Sequence, residues 1–283
     1  MLYINRKPVS GGKFPNKEIY VDFDELHTLN PREPQEVLCK FESNDDLMAL
    51  MMLKRSMDDM GFQDVSLFIP YLPYAALDRT ENKRCLGAKF NGEFINALNF
   101  RAVYTWEAHS NVSLAVTNRI HDRLISVDIA EAIRANLDAQ GIQEDDILYV
   151  FPDDGAKARY KKLEPKNYIV FGKARRFEDG KLNAPNITKS HYEGTPAYAI
   201  VIDDLCRGGR TVCAAAKVVK EQLGVKHVLF CVAHTEDTVY TGPILDDPNV
   251  DGIYTTNSCL THIDHEKLHI IEEVLNYENV CRN

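Results

Sequence analysis

The sequence predicts an α/β fold of two domains, each with a mainly parallel sheet flanked by helices. Short apolar runs alternate with amphipathic stretches along the chain, which is typical of βα units. With 283 residues, the chain is long enough for two domains of about 100–150 residues, each with its own core. A strand, turn and helix occur in this order in both halves. We therefore expect a near-repeat at domain level, with domains at 1–122 and 123–283.

Short apolar runs predict the buried strands of the two sheets. In chain order these are Val65–Ile69, Ala102–Trp106, Ile147–Phe151, Tyr168–Phe171, Ala197–Ile202 and His227–Val232. Amphipathic spacing predicts helices at Asp45–Met60, Asp128–Leu137 and Thr211–Leu223. Gly61 and Gly224 stand where two of these helices are expected to end.

Composition and charge narrow the class of protein. A hydrophobic content of 45% and a charged content of 27% are ordinary for a globular protein. No apolar run approaches the roughly 20 residues that span a bilayer, and the first residues lack a signal-peptide core, so we expect no membrane association. Seven cysteines without a CxxC pair predict reduced thiols in the cytoplasm. The net charge of −9 argues against a nucleic-acid partner.

The segment from Ala197 to Thr211, AYAIVIDDLCRGGRT, carries the clearest chemical signal. An apolar strand ends in two carboxylates, Asp203 and Asp204, and a glycine-bearing loop then leads into a helix. Ligands of open α/β sheets bind beyond the carboxyl ends of strands, where a helix N-terminus offers N–H groups to an anion. Adjacent carboxylates accept hydrogen bonds from ribose hydroxyls. The alternative interpretation is a strand end followed by a helix-capping turn.

This segment resembles the phosphoribosyl pyrophosphate (PRPP) motif of type I phosphoribosyltransferases and PRPP synthetases. Further segments resemble those of PRPP synthetases, in the same order along the chain. They are SNDDLMALMMLKR (43–55), IPYLPYAALDRTENKRCLGAK (69–89), VFPDDGAKARYKKL (150–163) and FGKARR (171–176). The resemblance covers roughly residues 14–260, so the chain is identified as similar to the PRPP synthetase family.

The resemblance implies two phosphoribosyltransferase-like domains, with the last ~20 residues packing on the first. The implied reaction moves the β,γ-diphosphoryl group of ATP to the anomeric hydroxyl of a ribose phosphate and releases AMP. Such transfer depends on positioning and charge neutralisation, so Mg²⁺ is the implied cofactor. His109 and Asp153 match the histidine and aspartate that hold this ion on ATP. Without the match to Asp153, His109 would be read as a structural histidine.

The resemblance also assigns residues to catalysis and to ATP. The catalytic cations are Lys173, Arg175 and Arg176, in a cluster that would otherwise be read as a solvated basic turn. The ATP-binding residues are Phe14, Asn16, Glu18, Asp78, Arg79 and Arg84. Phe14 would stack on adenine, and Glu18 would accept a hydrogen bond from the adenine amino group. The family completes its adenine site with a neighbouring subunit, which implies a dimer or hexamer.

The acceptor loop departs from the family pattern, because the usual DTxGT reads RGGRT from Arg207 to Thr211. The predicted ribose-phosphate site comprises Asp203, Asp204, Arg207, Gly208, Gly209, Arg210 and Thr211. Ribose 5-phosphate is the acceptor of most of the family. Two added arginines would suit a diphosphate such as that of ADP-ribose, which some phage-encoded relatives use in rebuilding NAD. A non-catalytic regulatory homologue and a phosphoribosyltransferase are further alternatives.

Overall fold

The computed structural model describes residues 1–80, 84–172 and 185–275, and it confirms the predicted α/β class with two mainly parallel sheets. The chain forms two compact units. One comprises Met1–Arg123 together with the end of the chain from Val274, and the other comprises Leu124–Glu273. The predicted domain bounds, 1–122 and 123–283, stay a prediction.

The first unit contains a six-stranded sheet and a small hairpin. The sheet strands are β1 (Leu2–Ile4), β2 (Lys7–Pro8), β5 (Gln35–Cys39), β6 (Val65–Phe68), β7 (Val103–Trp106) and β8 (Ile120–Arg123). The hairpin strands are β3 (Gly11–Lys13) and β4 (Ile19–Val21). Along the sheet the order is β2-β1-β5-β6-β7-β8, and the ladder from β5 to β8 is parallel.

Three helices accompany this sheet, namely α1 (Asn44–Asp59), α2 (Gly87–Ala97) and α3 (Asn111–Val116). Helix α1 begins with a capping box between Ser43 and Asp46 and lies within a residue of its predicted bounds. Gly61 follows its end with a φ of +85°, which confirms the predicted stop.

The second unit contains a seven-stranded sheet. Its strands are β9 (Ile147–Phe151), β10 (Tyr168–Phe171), β11 (Ile187–His191), β12 (Tyr198–Cys206), β13 (His227–Thr235), β14 (Gly252–Thr256) and β15 (Leu268–Glu272). The order is β11-β10-β9-β12-β13-β14-β15, and β11 alone pairs antiparallel. The helices are α4 (Ile125–Ala139), α5 (Asp154–Arg159) and α6 (Arg210–Leu223). The resemblance implies that the last ~20 residues pack on the first domain. Strand β15 lies in this segment and pairs with β14 in the sheet of the second unit.

The two central strands are longer than the apolar runs that predicted them. Strand β12 continues through both aspartates to Cys206, and Leu205 and Cys206 still pair with His234 and Thr235 of β13. The ladder between β12 and β9 ends at Val201, and pairing with β13 carries the strand on through the polar residues. The carboxylates predicted to follow the strand are therefore part of it.

Tyrosine and histidine rings face each other across several strand pairs. In four pairs the two residues are partners on neighbouring strands, and in the fifth they lie in loops of the second unit. The pairs are Tyr104–His121, Tyr168–His191, Tyr198–His227, Tyr254–His269 and Tyr240–His262. Their ring centroids lie between 4.3 and 5.6 Å apart.

The helices were also compared with the length and apolar character that a membrane span requires. In the three described ranges, no helix is both long and apolar enough to cross a bilayer.

Candidate functional site

Asp203 and Asp204 lie near the carboxyl end of β12, and the two carboxylates have different neighbours. Asp204 is 8% exposed, and its carboxylate lies 3.4 Å from the guanidinium of Arg159, the last residue of α5. The backbone N–H of Asp204 donates to the Asp203 carboxylate at 2.9 Å. Burial, reinforced by the charge of Asp204, raises the pKa of Asp203 well above the usual range of an aspartate.

Asp153 belongs to the same cluster of carboxylates. It caps the N-terminus of α5, where one carboxylate oxygen accepts from the backbone N–H of Ala156 at 2.9 Å. Its negative charge also contributes to the raised pKa of Asp203. The second unit thus gathers three predicted site residues, Asp153, Asp203 and Asp204, with Arg159 as a nearby cation.

The loop from Arg207 to Gly209, which we call the acceptor loop, joins β12 to α6. Gly209 adopts the left-handed conformation, with a φ of +74°, and a Cβ there would lie 2.4 Å from the Cβ of Ile244. A Cβ on Gly242 would lie 2.3 Å from the carbonyl oxygen of Gly208. The glycines predicted to let a phosphate approach thus also let the acceptor loop pack on the segment around Gly242.

The acceptor loop presents its polar groups to solvent. Arg207 forms an ion pair with Glu236 at 3.3 Å, and its side chain is 62% exposed. Arg210 and Thr211 are exposed in the first turn of α6. The helix begins at Arg210, one residue before the predicted start at Thr211. The first N–H groups of a helix have no intrahelical partner, so this turn can bind an anion.

The predicted adenine-binding residues lie in the loop of the β3–β4 hairpin in the first unit. Phe14 is 51% exposed and tilts against Tyr20, with ring centroids 5.0 Å apart. The side chain of Asn16 accepts from the backbone N–H of Glu18 at 3.1 Å, and Phe14 donates to the Glu18 carbonyl at 2.8 Å. The hairpin therefore brings Phe14 and Glu18 together.

His109 is positioned by a sharp bend after β7. Glu107 is buried with a φ of +42°, and its N–H donates to the Arg123 carbonyl at 2.8 Å. The next N–H, that of Ala108, donates to the Asp122 side chain at 2.9 Å. His109 follows, half-buried. It belongs to the first unit and Asp153 to the second, so their joint role at a metal ion stays a prediction.

The remaining predicted residues fall at or near the gaps between the described ranges. Asp78 and Arg79 contact each other at 3.5 Å, and Arg84 is exposed. Lys173, Arg175 and Arg176 lie outside the described residues. Within the described ranges, no group of three or more His, Cys, Asp or Glu side chains is arranged to hold a metal ion.

Sequence reasoning missed residues that act through contacts between segments distant in the chain. Arg159 and Glu236 bind predicted site residues, and Gly242 and Ile244 support the acceptor loop. Arg159 lies inside a quoted motif, so the motif offered a signal for it. For the other three, only the fold brings them to the site.

Curated proteins and solved structures resemble this chain. No family model matches the chain. A ribose-phosphate pyrophosphokinase of Marinomonas sp. is 26% identical over 94% of the chain and 80% of the relative. That of Enterococcus faecalis is 28% identical over 82% of the chain and 70% of the relative. The chloroplastic ribose-phosphate pyrophosphokinase 2 of spinach is 23% identical over 83% of the chain, but only 58% of the relative.

A solved structure shares the fold. The phosphoribosylpyrophosphate synthetase from Mycobacterium smegmatis aligns with a TM-score of 0.72 over 95% of this chain and 86% of its own, at 17% identity. Together, the curated relatives and the shared fold support the chain as a divergent member of the ribose-phosphate pyrophosphokinase, or PRPP synthetase, family.

Proposed function

We propose that this protein transfers the β,γ-diphosphoryl group of ATP to the anomeric hydroxyl of a ribose phosphate. The anomeric oxygen attacks the β-phosphorus, the bond from that phosphorus to the oxygen bridging it to the α-phosphorus breaks, and AMP leaves. The hydroxyl proton is released. The curated relatives named ribose-phosphate pyrophosphokinase support this class of transfer.

One observation carries the proposal. Two adjacent carboxylates near the end of β12 stand two residues before a glycine-containing loop, which leads to the N-terminus of α6. Carboxylates accept from the ribose hydroxyls, while helix N–H groups take a phosphate. Arg159 keeps Asp204 beside a positive charge, which favours the ionised, hydrogen-bond-accepting form. The order of these groups fits a ribose with a 5′-phosphate.

The nucleotide and its ion would be held by the other predicted residues. Phe14 and Glu18 would contact adenine. Asp153 would offer the carboxylate oxygen that suits Mg²⁺, which commonly takes its remaining ligands from substrate phosphates and water. The resemblance adds the imidazole of His109 to this set. When bound, this ion neutralises charge on the transferring group. Lys173 would contribute a further cation to the same charge.

Ribose 5-phosphate is the first candidate acceptor, because the relatives' names point to it. A second candidate is ADP-ribose, as in a phage-type pathway that rebuilds NAD. It is favoured by the exposed guanidinium groups of Arg207 and Arg210 beside a helix N-terminus that is itself adequate for a monophosphate. An additional phosphate would give Arg210 an anionic partner and Arg207 an alternative to its ion pair with Glu236.

The test is to incubate the protein with ATP, Mg²⁺ and either acceptor, and to follow AMP release. Asp204→Asn should lower turnover with either acceptor, because both present the same ribose hydroxyls. The matched control is Asp145→Asn, an exposed aspartate that pairs with Lys166 before the amino end of β9. Equal activity of the two variants would contradict the assignment of Asp204.

The arginines are tested by changing both to alanine. A desolvated bidentate contact with phosphate contributes about 1.5–3 kcal/mol, so the double variant should lose roughly ten- to several-hundred-fold in kcat/KM for ADP-ribose. Activity with ribose 5-phosphate should change little. Equal loss with both acceptors would give the arginines a structural role.

Two outcomes would reassign the protein. Absence of AMP release with every acceptor would favour a non-catalytic regulatory homologue. Release of diphosphate from PRPP in the presence of a nucleobase would favour a phosphoribosyltransferase. We further propose that the active form is a dimer or hexamer, which light scattering of the purified protein would determine.

A further inference from the structure

Three neighbouring loops lie in a row at one edge of the second sheet. Strands β12, β13 and β14 are adjacent and parallel, so they end at the same edge. The acceptor loop follows β12. A middle loop, residues 236–245, follows β13, and an outer loop, residues 257–263, follows β14. This edge carries the acceptor loop, so the row begins at the proposed phosphate site.

Contacts hold the row together. The middle loop touches the acceptor loop, because Gly242 packs on the backbone of Gly208 and Glu236 pairs with Arg207. The middle loop also holds the outer loop, since the Asp237 carboxylate accepts from the backbone N–H of Thr261 at 2.9 Å and from its hydroxyl. A ligand extending from the acceptor loop along this edge would thus meet a continuous surface.

The far end of the row carries a stacked pair of rings. Tyr240 of the middle loop and His262 of the outer loop lie with centroids 4.3 Å apart and planes 14° from parallel. The Tyr240 hydroxyl donates to the His262 carbonyl at 2.8 Å and accepts from the Asp264 N–H at 3.2 Å, which fixes the tyrosine. Tyr240 is half-buried and His262 is exposed, so the imidazole forms the outer layer of the stack.

The spacing suits an extended acceptor. Tyr240 is two residues from Gly242, so their Cα atoms lie within about 8 Å of each other. Arg207 and its partner Glu236 lie where the acceptor loop meets the middle loop. An acceptor whose ribose phosphate is bound at the N-terminus of α6, and which extends along the row of loops, would therefore meet first the Arg207 guanidinium and then the rings of Tyr240 and His262.

We propose that Tyr240 and His262 form a subsite for the nucleoside of an acceptor in which a second phosphate links that nucleoside to the ribose phosphate. This inference rests on the proposed diphosphoryl transfer and on the second acceptor candidate. Arg207 exchanges its contact with Glu236 for the second phosphate, and the base stacks on the His262 ring. Base stacking tolerates different bases because every base has a flat face. The acceptor class is a nucleoside diphosphate linked to ribose, and ADP-ribose is the probe.

The test compares His262→Ala with His262→Phe. The alanine variant should lower kcat/KM for ADP-ribose about ten-fold and leave that for ribose 5-phosphate unchanged, whereas phenylalanine keeps a flat ring and should retain use of ADP-ribose. The matched control is His227→Ala. His227 is also exposed and stacked on a tyrosine, Tyr198, but at the opposite, amino edge of the same sheet.

Binding of ADP-ribose is measured separately by calorimetry, with a non-hydrolysable ATP analogue present to occupy the nucleotide site. Weaker binding in His262→Ala alone would support the subsite even if no acceptor released AMP, an outcome that would refute only the proposed activity. The subsite is overturned if wild-type protein does not bind ADP-ribose, if His262→Ala impairs both acceptors equally or neither, or if His227→Ala has the same effect. AMP release with ribose 5-phosphate would leave the proposed function standing in each of those cases.

Discussion

Gly209→Ala should destabilise the second unit and distort the acceptor loop. Gly209 combines a φ of +74° with a neighbour in the way, since a Cβ would lie 2.4 Å from the Cβ of Ile244. The left-handed conformation costs a residue with a Cβ about 1–2 kcal/mol. Overpacking in a fixed environment costs about 1–3 kcal/mol more. We expect a total loss of about 2–5 kcal/mol in the free energy of unfolding.

Gly224→Ala provides a matched control for the backbone term. Gly224 has a φ of +71°, but the nearest atom to its Cβ would be the Thr195 methyl group at 3.8 Å. This variant should lose only the conformational part, about 1–2 kcal/mol. The difference between the two variants therefore measures the contact with Ile244. Adding Ile244→Ala to Gly209→Ala removes the contacts with the Ile244 Cδ1 and Cγ2 atoms, at 2.7 and 2.8 Å, but keeps the contact with its Cβ, so it should recover only part of the difference.

Urea unfolding followed by circular dichroism gives the measurement. A urea m-value near 2 kcal/mol/M converts a loss of about 3 kcal/mol into a lower midpoint by about 1.5 M. Trp106, the single tryptophan, lies in the first unit, so its fluorescence reports on that unit and should change little. Equal losses for Gly209→Ala and Gly224→Ala would refute the packing argument. A shift of the tryptophan transition alone would refute the assignment to the second unit.

Further variants test the carboxylates, the metal and the cations. Asp203→Asn should stabilise the protein at pH 7. The pKa of Asp203 is raised in the folded state, so ionising this carboxyl costs stability as the pH rises above its unfolded pKa of about 3.8. Below that pH, the gain in melting temperature of the variant should vanish. His109→Ala should lower kcat by ~10²-fold if it helps hold the metal, and near-normal turnover in a folded variant would remove that role. Lys173→Ala should lower kcat and kcat/KM together with ATP affinity unchanged, so a change in KM alone would contradict a transition-state role. Arg159→Gln should raise the KM for the acceptor and not for ATP, with Arg159→Lys recovering part of the loss; equal effects on both KM values would argue for a merely structural residue.

Local pattern was sufficient for the most apolar elements of the fold. The bounds predicted for β9 and β10 agree with the structure, because both strands are short, continuous apolar runs. The prediction also missed strands in both sheets and in the hairpin, namely β1, β2, β3, β4, β5, β8, β11, β14 and β15. For β2 and β3 the reason is plain, since Lys7–Pro8 and Gly11–Lys13 carry no apolar alternation and form by pairing with neighbours. Strand β12 was predicted too short because its last residues depend on the ladder to β13 rather than on their own hydrophobicity.

The site was predictable where a single segment carries it. Asp203, Asp204 and the glycines come from one stretch, and Asp153 was found through its motif. Glu236 and Ile244 could not be inferred, because each reaches the acceptor loop from a segment more than 25 residues away, and only the parallel order of β12 and β13 brings them there. The same reasoning explains why the row of loops that ends at His262 has no signature in the sequence.

The pairing of tyrosine with histidine gives the protein a set of internal magnetic probes. Five of the nine histidines lie against a tyrosine ring, and in the closest pair the ring planes are 14° from parallel. A nearby aromatic ring current displaces the imidazole C–H resonances from their ordinary positions, so these histidines should be separately resolved in a proton spectrum. Each reports on a different place, with His121 in the first sheet, His227 at the amino edge of the second and His262 at the end of the loop row. Titrating a ligand while following these lines would show which edge of which sheet it touches, without any label added to the chain.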